Sequence, residues 1–196
     1  MLKRLFDIFF SLLGVILLTP LFLIIAILIL VDSRGGVFYK QLRVGYNNSD
    51  FKLFKFRTMA IGSDKKGLIT VGSRDSRVTP IGYYLRKYKI DELPQLINVL
   101  IGDMSLVGPR PEVRKYVSMY TPDQLKVLSV KPGITDYASL EYSNENELLG
   151  NSENPEEMYI KEIMPAKLAL NLKYIKEKNV LMDFSLILKT LFKIIS

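Results

Sequence analysis

The sequence predicts an α+β, mainly helical protein attached to an N-terminal membrane segment. Residues 8–31 form a run of 24 residues without a charge, nearly all of them apolar. Residues 37–59 contain two stretches rich in Val, Phe and Tyr on either side of a polar turn, which is typical of a β-hairpin. Several helix starts and an amphipathic C-terminal helix follow. We therefore expect a membrane anchor over residues 1–34 and a second domain over residues 35–196.

The N-terminal apolar segment is long enough to cross a bilayer core of ~30 Å. It is too long for a signal-peptide core, and no small-residue cleavage site follows it, so we expect a retained anchor. Thr19-Pro20 lies near its centre, where proline should kink or break a helix. A kinked spanning helix and a re-entrant hairpin with both ends on one face are both open. Basic residues flank both ends of the segment, so the positive-inside rule selects no orientation.

Composition excludes several catalytic chemistries. The 196 residues include no Cys and no His, which excludes a thiol nucleophile, His-dependent triads and metal sites built from Cys or His. A metal would need oxygen ligands, which favours Mg²⁺, Mn²⁺ or Ca²⁺. The net charge of +7 is uneven, because residues 40–90 carry +9 and residues 91–196 carry −3. A basic block of this kind indicates a polyanionic partner, either nucleic acid, anionic lipid or a phosphorylated small molecule.

Local patterns predict the remaining elements. Capping residues followed by proline mark helix starts, and runs of turn residues mark loops. The apolar residues of the last segment recur at helical spacing, which fits either a core helix or an interfacial helix on the lipid surface. Up to residue 111 we predict a hairpin turn over 45–50, a loop over 60–78, a helix from Thr79-Pro80 towards Lys89, a helix from Asp91-Glu92 to Gly102 and a turn-rich loop over 103–111. After residue 111 we predict a short helix over 112–120, a helix started by the capping box at 121–124 and a turn over 131–133. A solvated acidic surface over 141–162 and helices over 155–178 and 182–195 complete the prediction.

The acidic pair Asp91-Glu92 is the first candidate for chemistry. Acidic residues at a helix start can simply complement the helix dipole. Here, however, Arg86 and two lysines lie just upstream, and a helix N-terminus favours bound phosphate. A carboxylate beside a phosphate site can hold Mg²⁺ against the phosphates, or it can attack phosphorus and form an acyl phosphate. The residues alone leave both roles open.

Two basic segments are candidates for binding phosphates. Arg110 lies between Pro109 and Pro111, so its guanidinium is either exposed on a stiff turn or positioned in advance to bind a diphosphate. Lys55 and Arg57 lie on the second predicted strand, which is either an ordinary strand with a solvated basic face or the wall of an anion pocket. Neither segment alone indicates a specific function, but both follow a predicted membrane anchor in the sequence.

Together these motifs resemble the small monotopic polyprenyl-phosphate phosphoglycosyl transferases, the bacterial sugar transferase family. The resemblance covers nearly the whole chain, and its most specific part is the long stretch over residues 77–112. It rests on KFRTM at 55–59, RVTPIGYYLRKYKIDELPQLINVLIGDMSLVGPRPE at 77–112, KPGIT at 131–135 and DFSLILKT from Asp183.

The resemblance implies a reaction and the residues that perform it. Asp91 would attack the β-phosphate of a UDP-sugar and release UMP, and a polyprenyl phosphate would then take up the sugar-phosphate. Glu92 would bind Mg²⁺ or Mn²⁺ together with Asp91. The residues implied to bind phosphates or the nucleotide are Lys55, Arg57, Arg86, Pro109, Arg110 and Pro111. The product would start a surface glycan, to be extended by downstream glycosyltransferases.

The resemblance also implies a location and partners. The anchor broken at Thr19-Pro20 would be a re-entrant helix, and the catalytic domain would lie on the cytoplasmic face of the bacterial inner membrane. The lipid bilayer, a UDP-sugar and undecaprenyl phosphate would be the partners, and nucleic acid would not. A different class of function, a membrane-tethered basic module that binds nucleic acid or anionic lipid without catalysis, is the alternative.

Two departures from the family pattern limit what can be carried over. The anchor has Thr-Pro where many members have Ser-Pro, and a hydroxyl is still present beside the proline. Asn171 occupies a position where many members carry Asp, so no role is assigned to it. Residues 136–162 lack the Trp-containing pattern of other members. The sugar, the glycan pathway and the oligomeric state are therefore not predicted.

Overall fold

The computed structural model describes residues 2–63 and 75–195, and its first element is one long helix. Helix α1 (Leu2–Asp32) contains Pro20 and is continuous through it. The hydroxyl of Thr19 donates a hydrogen bond to the carbonyl of Val15 at 2.7 Å. Among the described helices, α1 is the one whose length and composition would let it cross a membrane, and most of its apolar side chains are exposed. The re-entrant path stays a prediction.

The predicted β-hairpin is confirmed. Strands β1 (Phe38–Val44) and β2 (Asp50–Phe56) pair in an antiparallel register that joins the start of β1 to the end of β2. The turn between them places Asn47 and Asn48 at positive φ, a conformation that Asn tolerates better than most residues. The hairpin therefore extends from the end of α1 and carries the basic residues of β2 into the domain. The predicted loop over 60–78 lies partly outside the described residues.

Helix α2 (Pro80–Lys87) begins where the sequence predicts. The Thr79 side chain accepts a hydrogen bond from the backbone nitrogen of Gly82, which makes Thr79 the N-cap. A β-carbon on Gly82 would lie 2.1 Å from the carbonyl oxygen of Thr58. Glycine at this position therefore lets α2 pack directly against the backbone that follows β2.

The acidic pair lies between two helices. Asp91 and Glu92 belong to a single 3₁₀ turn (Ile90–Glu92), and helix α3 (Gln95–Ile101) follows it. The predicted helix start at Asp91 is therefore wrong, because Pro94 takes the N-cap position of α3. The predicted end at Gly102 is confirmed, since this glycine caps α3 in the left-handed conformation.

Two short parallel strands follow, which the sequence does not predict. Strand β3 (Ser105–Val107) pairs with strand β4 (Gly133–Thr135), where turns were expected over 103–111 and 131–133. Strands of three residues are too short to show an alternating pattern. A β-carbon on Gly133 would lie 2.1 Å from the backbone nitrogen of Gly108. The two chain segments therefore touch through their backbones, directly before the Pro109–Pro111 loop.

The other described elements of the chain are helices and helical turns. The capping box at 121–124 is confirmed by its two reciprocal hydrogen bonds, although the helix that it starts is 3₁₀. The predicted acidic surface over 141–162 is only partly solvated, because Leu149 and Tyr159 are buried. The remaining elements are α4 (Arg114–Val117), a 3₁₀ helix (Gln124–Ser129), α5 (Tyr137–Glu141), α6 (Glu145–Gly150), α7 (Pro155–Met158), a π-helical turn (Tyr159–Ile163), α8 (Met164–Glu177) and α9 (Val180–Ile195). The last four confirm the helices predicted over 155–178 and 182–195.

Both ends of α1 are attached to the domain. Near its start, Lys3 Nζ lies 2.5 Å from Asp183 Oδ2 of α9, and Arg4 donates to the carbonyl oxygens of Val99 and Leu100 at the end of α3. Near its end, Ile25 and Ile29 share an apolar cluster with Phe56 and Leu85. The domain therefore contacts α1 on both sides of its central proline.

Candidate active site

Glu92 lies at the centre of an ion-pair cluster. Its Oε1 accepts a hydrogen bond from Lys55 Nζ of β2 at 2.9 Å. The Arg110 guanidinium binds both oxygens of the same carboxylate, with 2.9 Å between Nη1 and Oε2. Burial opposes ionisation of Glu92, but the charges of Arg110 and Lys55 outweigh it and hold its pKa well below the ordinary value. Glu92 is therefore a fixed negative charge between two cations.

Asp91 is the neighbouring carboxylate, and its surroundings differ. It is 7% exposed, and burial together with the charge of Glu92 raises its pKa above the ordinary value. Lys55, Arg86 and Lys89 act in the opposite direction through their charges. In the described part of the chain, no donor makes a hydrogen bond to the Asp91 carboxylate. A buried carboxylate without such bonds is an available nucleophile.

The Pro109–Pro111 loop holds Arg110 in place through its backbone. The Arg110 backbone nitrogen donates to Asp136 Oδ2 at 3.1 Å, and the Gly133 backbone nitrogen donates to the Pro109 carbonyl at 3.0 Å. Asp136 is fully buried, and its other oxygen accepts a hydrogen bond from the backbone nitrogen of Ser139. This bond makes Asp136 the N-cap of α5. The guanidinium is thus directed at Glu92 by a loop that is fixed at both ends.

Arg57 bonds to the end of α1. Its guanidinium donates to the carbonyls of Gly36, Ile29 and Ser33 and to the Ser33 hydroxyl, at 2.6 to 3.4 Å. The carbonyls of Ser33 and Gly36 lie just beyond the end of α1, and that of Ile29 lies in its last turn, so Arg57 joins this segment to the helix end. The structure thus places Arg57 beneath the site, where it joins β2 to the anchor.

A cavity of about 860 Å³ connects these groups. Lys55, Arg57, Arg86, Asp91, Glu92 and Arg110 all line it, so the structure brings six of the predicted site residues together. Pro109 and Pro111 do not line this cavity but a small adjoining one of about 20 Å³, and Arg110 and Asn171 line both.

The family model described as bacterial sugar transferase matches residues 1–196. The chain belongs to this family. The match confirms the resemblance carried by the motifs at 55–59 and 77–112.

Three curated relatives illustrate the similarity. The chain is 43% identical over 141 residues to the UDP-N-acetylgalactosamine-undecaprenyl-phosphate N-acetylgalactosaminephosphotransferase of Aeromonas hydrophila. The matched region covers 70% of this chain and 33% of that relative. It is 36% identical to the UDP-glucose:undecaprenyl-phosphate glucose-1-phosphate transferase of Klebsiella pneumoniae, over 97% of this chain and 39% of the relative. It is 37% identical to the exopolysaccharide production protein PSS of Rhizobium leguminosarum bv. phaseoli, over 96% and 92%. The chain thus spans only a third to two fifths of the first two relatives.

Sequence reasoning missed a second network in this sugar transferase site. Glu112 accepts hydrogen bonds from Arg43 Nη1 at 2.8 Å and from the Tyr159 hydroxyl at 2.5 Å. All three side chains line the same cavity as Asp91. Glu112 closes the GPRPE motif, and that position was the available signal. Nothing in the local sequence marks Tyr159, which comes from the π-helical turn far along the chain.

The acidic pair suits a magnesium ion that takes most of its ligands from a bound substrate. The described residues contain no group of three or more side chains that could enclose a metal. Mg²⁺ is commonly held by one or two carboxylates, with substrate phosphates completing the octahedron. The Asp91 carboxylate has no competing hydrogen bond, whereas both oxygens of the neighbouring Glu92 already bind cations. The pair therefore offers few free protein ligands, which suits an ion that arrives with a diphosphate.

Proposed function

We propose that this protein transfers a sugar-1-phosphate from a UDP-sugar to undecaprenyl phosphate and so starts a surface glycan such as a capsule, an O-antigen or a glycoprotein glycan. One observation carries the proposal. Two adjacent carboxylates, buried Asp91 and partly buried Glu92, differ in state, because Lys55 and Arg110 neutralise Glu92 while Asp91 keeps free oxygens. The names of the Aeromonas and Klebsiella relatives describe such transfers to undecaprenyl phosphate.

In the first proposed step, a carboxylate oxygen of Asp91 attacks the β-phosphorus of the UDP-sugar. The bond from that phosphorus to the bridging oxygen breaks, and UMP leaves with this oxygen and its electron pair. The sugar-phosphate is then held as an acyl phosphate on Asp91. Arg110, Lys55 and Arg86 face the charge that develops on the phosphoryl oxygens.

In the second step, a phosphate oxygen of the polyprenyl acceptor attacks the phosphorus held on Asp91. The acyl-phosphate bond breaks, the Asp91 carboxylate is regenerated, and the product is a polyprenyl diphosphate-sugar. No proton has to move, because both nucleophiles are anions at neutral pH. This chemistry agrees with a chain that has neither His nor Cys.

Asp91 and Glu92 would hold Mg²⁺, and Mn²⁺ would suit the same oxygen ligands. The ion would neutralise phosphoryl charge as a Lewis acid. Arg110 and Lys55, which also bind Glu92, would neutralise part of the same phosphoryl charge from the protein side.

The membrane geometry supports a lipid acceptor. A straight helix of the length of α1 would be roughly 46 Å long, yet residues near both of its ends contact the same domain. We propose that α1 enters and leaves the bilayer on one face, with the break at Thr19-Pro20, and that this is the cytoplasmic face of the bacterial inner membrane. The cavity around Asp91 would then open near the lipid surface, where undecaprenyl phosphate is found.

The alternative of a non-catalytic basic module has less support. In the described structure, Lys55 and Arg110 are paired with Glu92 inside a cavity, whereas a nucleic-acid surface would present its cations on an open face.

UMP release tests the proposal. The purified protein in detergent should release UMP from at least one UDP-sugar when undecaprenyl phosphate and Mg²⁺ are present. Asp91→Asn should abolish release, and a donor labelled in its β-phosphate should label the wild-type chain but not this variant. Label retained on Asp91→Asn would sink the assignment of the nucleophile, and full activity in excess EDTA would argue against the metal.

A further inference from the structure

The cavity extends beyond Arg110 into a region that the two proposed steps do not use. Its wall comes from α5, α6, α8 and the segment between α5 and α6, and apolar side chains such as Leu140, Leu149 and Leu168 form part of it. The polar side chains of this wall, which we call the α6 wall, are Ser139, Tyr142, Ser143, Glu145, Asn146 and Lys167. They offer hydroxyls, a carboxylate, an amide and an ammonium group.

Glu145 lies at the centre of the α6 wall. Its Oε2 is 2.6 Å from Lys167 Nζ, and the side chains of Glu145 and Lys167 are only 25% and 13% exposed. Lys167 also lies 5.7 Å from the ring centroid of Tyr159, which fixes it from the other side. Within the described residues, no donor reaches the second oxygen of Glu145, Oε1. The wall therefore presents a held carboxylate with one acceptor still available.

The α6 wall adjoins the phosphate-binding cations. Arg110 and Glu145 line the same cavity, and Tyr159, whose ring lies 5.7 Å from Lys167, bonds to Glu112 beside the Arg110 loop. A ligand whose diphosphate contacts Arg110 would therefore place the group attached to its β-phosphate within reach of α6. The cavity of about 860 Å³ lies within the range of pockets that enclose a whole small molecule.

We propose that the α6 wall binds the hydroxyl groups of the donor's sugar ring, and that Glu145 selects their configuration. This inference rests on the proposed function. A carboxylate with a free lone pair accepts a bond from a sugar hydroxyl, and Asn146 can both donate and accept. A ring hydroxyl of the opposite configuration would leave the held carboxylate without its partner, which is a strong basis for discrimination.

The ribose of the nucleotide is also a polyol, so the test separates the two rings. We would measure kcat/KM for UMP release with UDP-glucose, UDP-galactose and their N-acetylated forms, in the wild type and in Glu145→Gln. The inhibition constant of UDP, which has the ribose but no hexose, would be measured in parallel. Glu147→Gln is the matched control, because Glu147 lies two residues away on α6 and is exposed.

Glu145→Gln should change the ratio of kcat/KM between the gluco and galacto donors by about tenfold, the scale of one hydroxyl contact, and leave UDP inhibition within about twofold. Glu147→Gln should change neither. A loss shared equally by all four donors would reduce the Glu145–Lys167 pair to a structural link and overturn the proposal. A matching loss of UDP affinity would assign the wall to the ribose.

Donor binding separates this inference from the proposed reaction. Calorimetry on Asp91→Asn measures the affinity for each UDP-sugar without turnover, and Asp91→Asn combined with Glu145→Gln shows whether the affinity ratio changes. If the affinity ratio between the UDP-sugars changes but the wild type releases no UMP, the proposed reaction is contradicted and the sugar site is supported. An unchanged ratio would contradict the sugar site, whatever the reaction does.

Discussion

Lys55 Nζ lies 2.9 Å from Glu92 Oε1, and this ion pair joins the hairpin to the turn that carries Asp91. Both side chains are less than a fifth exposed. Burial lowers the pKa of Lys55, whereas the pKa of Glu92 is held down by the charges of Arg110 and Lys55. Glu92 therefore stays ionised, and burial together with the charge of Glu92 raises the pKa of Asp91 above the ordinary value.

Lys55→Met should move the acid limb of the pH profile of kcat/KM to higher pH. In the proposed reaction Asp91 attacks as a carboxylate, so activity should be lost as the pH falls through its pKa. The charge of Lys55 lowers that pKa, and removing this charge raises it further. Lys52→Met on the same strand, at an exposed position, is the control and should leave the limb in place. A profile in Lys55→Met identical to that of the wild type would contradict the electrostatic coupling.

Asp136→Asn should lower activity less than Asp136→Ala does. The carboxylate of Asp136 accepts bonds from the backbone nitrogens of Arg110 and Ser139. Asn retains one acceptor oxygen, so it can keep one of the two bonds. Ala loses both, including the bond from Ser139 that caps α5, which is worth about 1 kcal/mol. Because Asp136 acts through the Arg110 backbone, the KM for the UDP-sugar should rise more than kcat falls. Equal kinetic effects of Asn and Ala would contradict this positioning role.

Some of these features follow from local sequence and others do not. The hairpin and the start of α2 are predictable, because Asn47-Asn48 and Thr79-Pro80 specify their backbone conformations within a few residues. The contact between Arg110 and Glu92 is not predictable in this way. It depends on Gly108 touching Gly133 across the β3–β4 pair, and strands of three residues carry no periodic signal.

The candidate site shows the same division. The motifs identify Lys55, Asp91 and Arg110 as members of one site, but they do not show that Arg57 bonds to α1. Nor do they show that Tyr159 reaches Glu112, since that bond joins residues 47 positions apart. Side-chain partners at such separations are set by tertiary packing, which a local pattern does not contain.

Arg57→Lys should destabilise the fold by roughly 2–4 kcal/mol, on the scale of one or two hydrogen bonds to a charged group. Lysine has no planar fork, so it cannot bond to Gly36, Ile29 and Ser33 together. The measurement is thermal unfolding in detergent, with the exposed Arg34→Lys as control. An unchanged Tm with a raised KM for the UDP-sugar would show that Arg57 contacts the donor and does not mainly hold the anchor.

The path of α1 can be tested by labelling, because the chain has no native cysteine. Leu2→Cys marks the start of α1, where the side chain is exposed, and Glu153→Cys marks an exposed position in the domain. If α1 is re-entrant, both cysteines lie on the cytoplasmic face. A membrane-impermeant thiol reagent should then label neither in intact cells and both in inside-out vesicles. A spanning helix would separate the two ends, so labelling of Leu2→Cys alone in intact cells would exclude the re-entrant path. It would also require that the bonds of Lys3 and Arg4 to the domain are absent in the membrane.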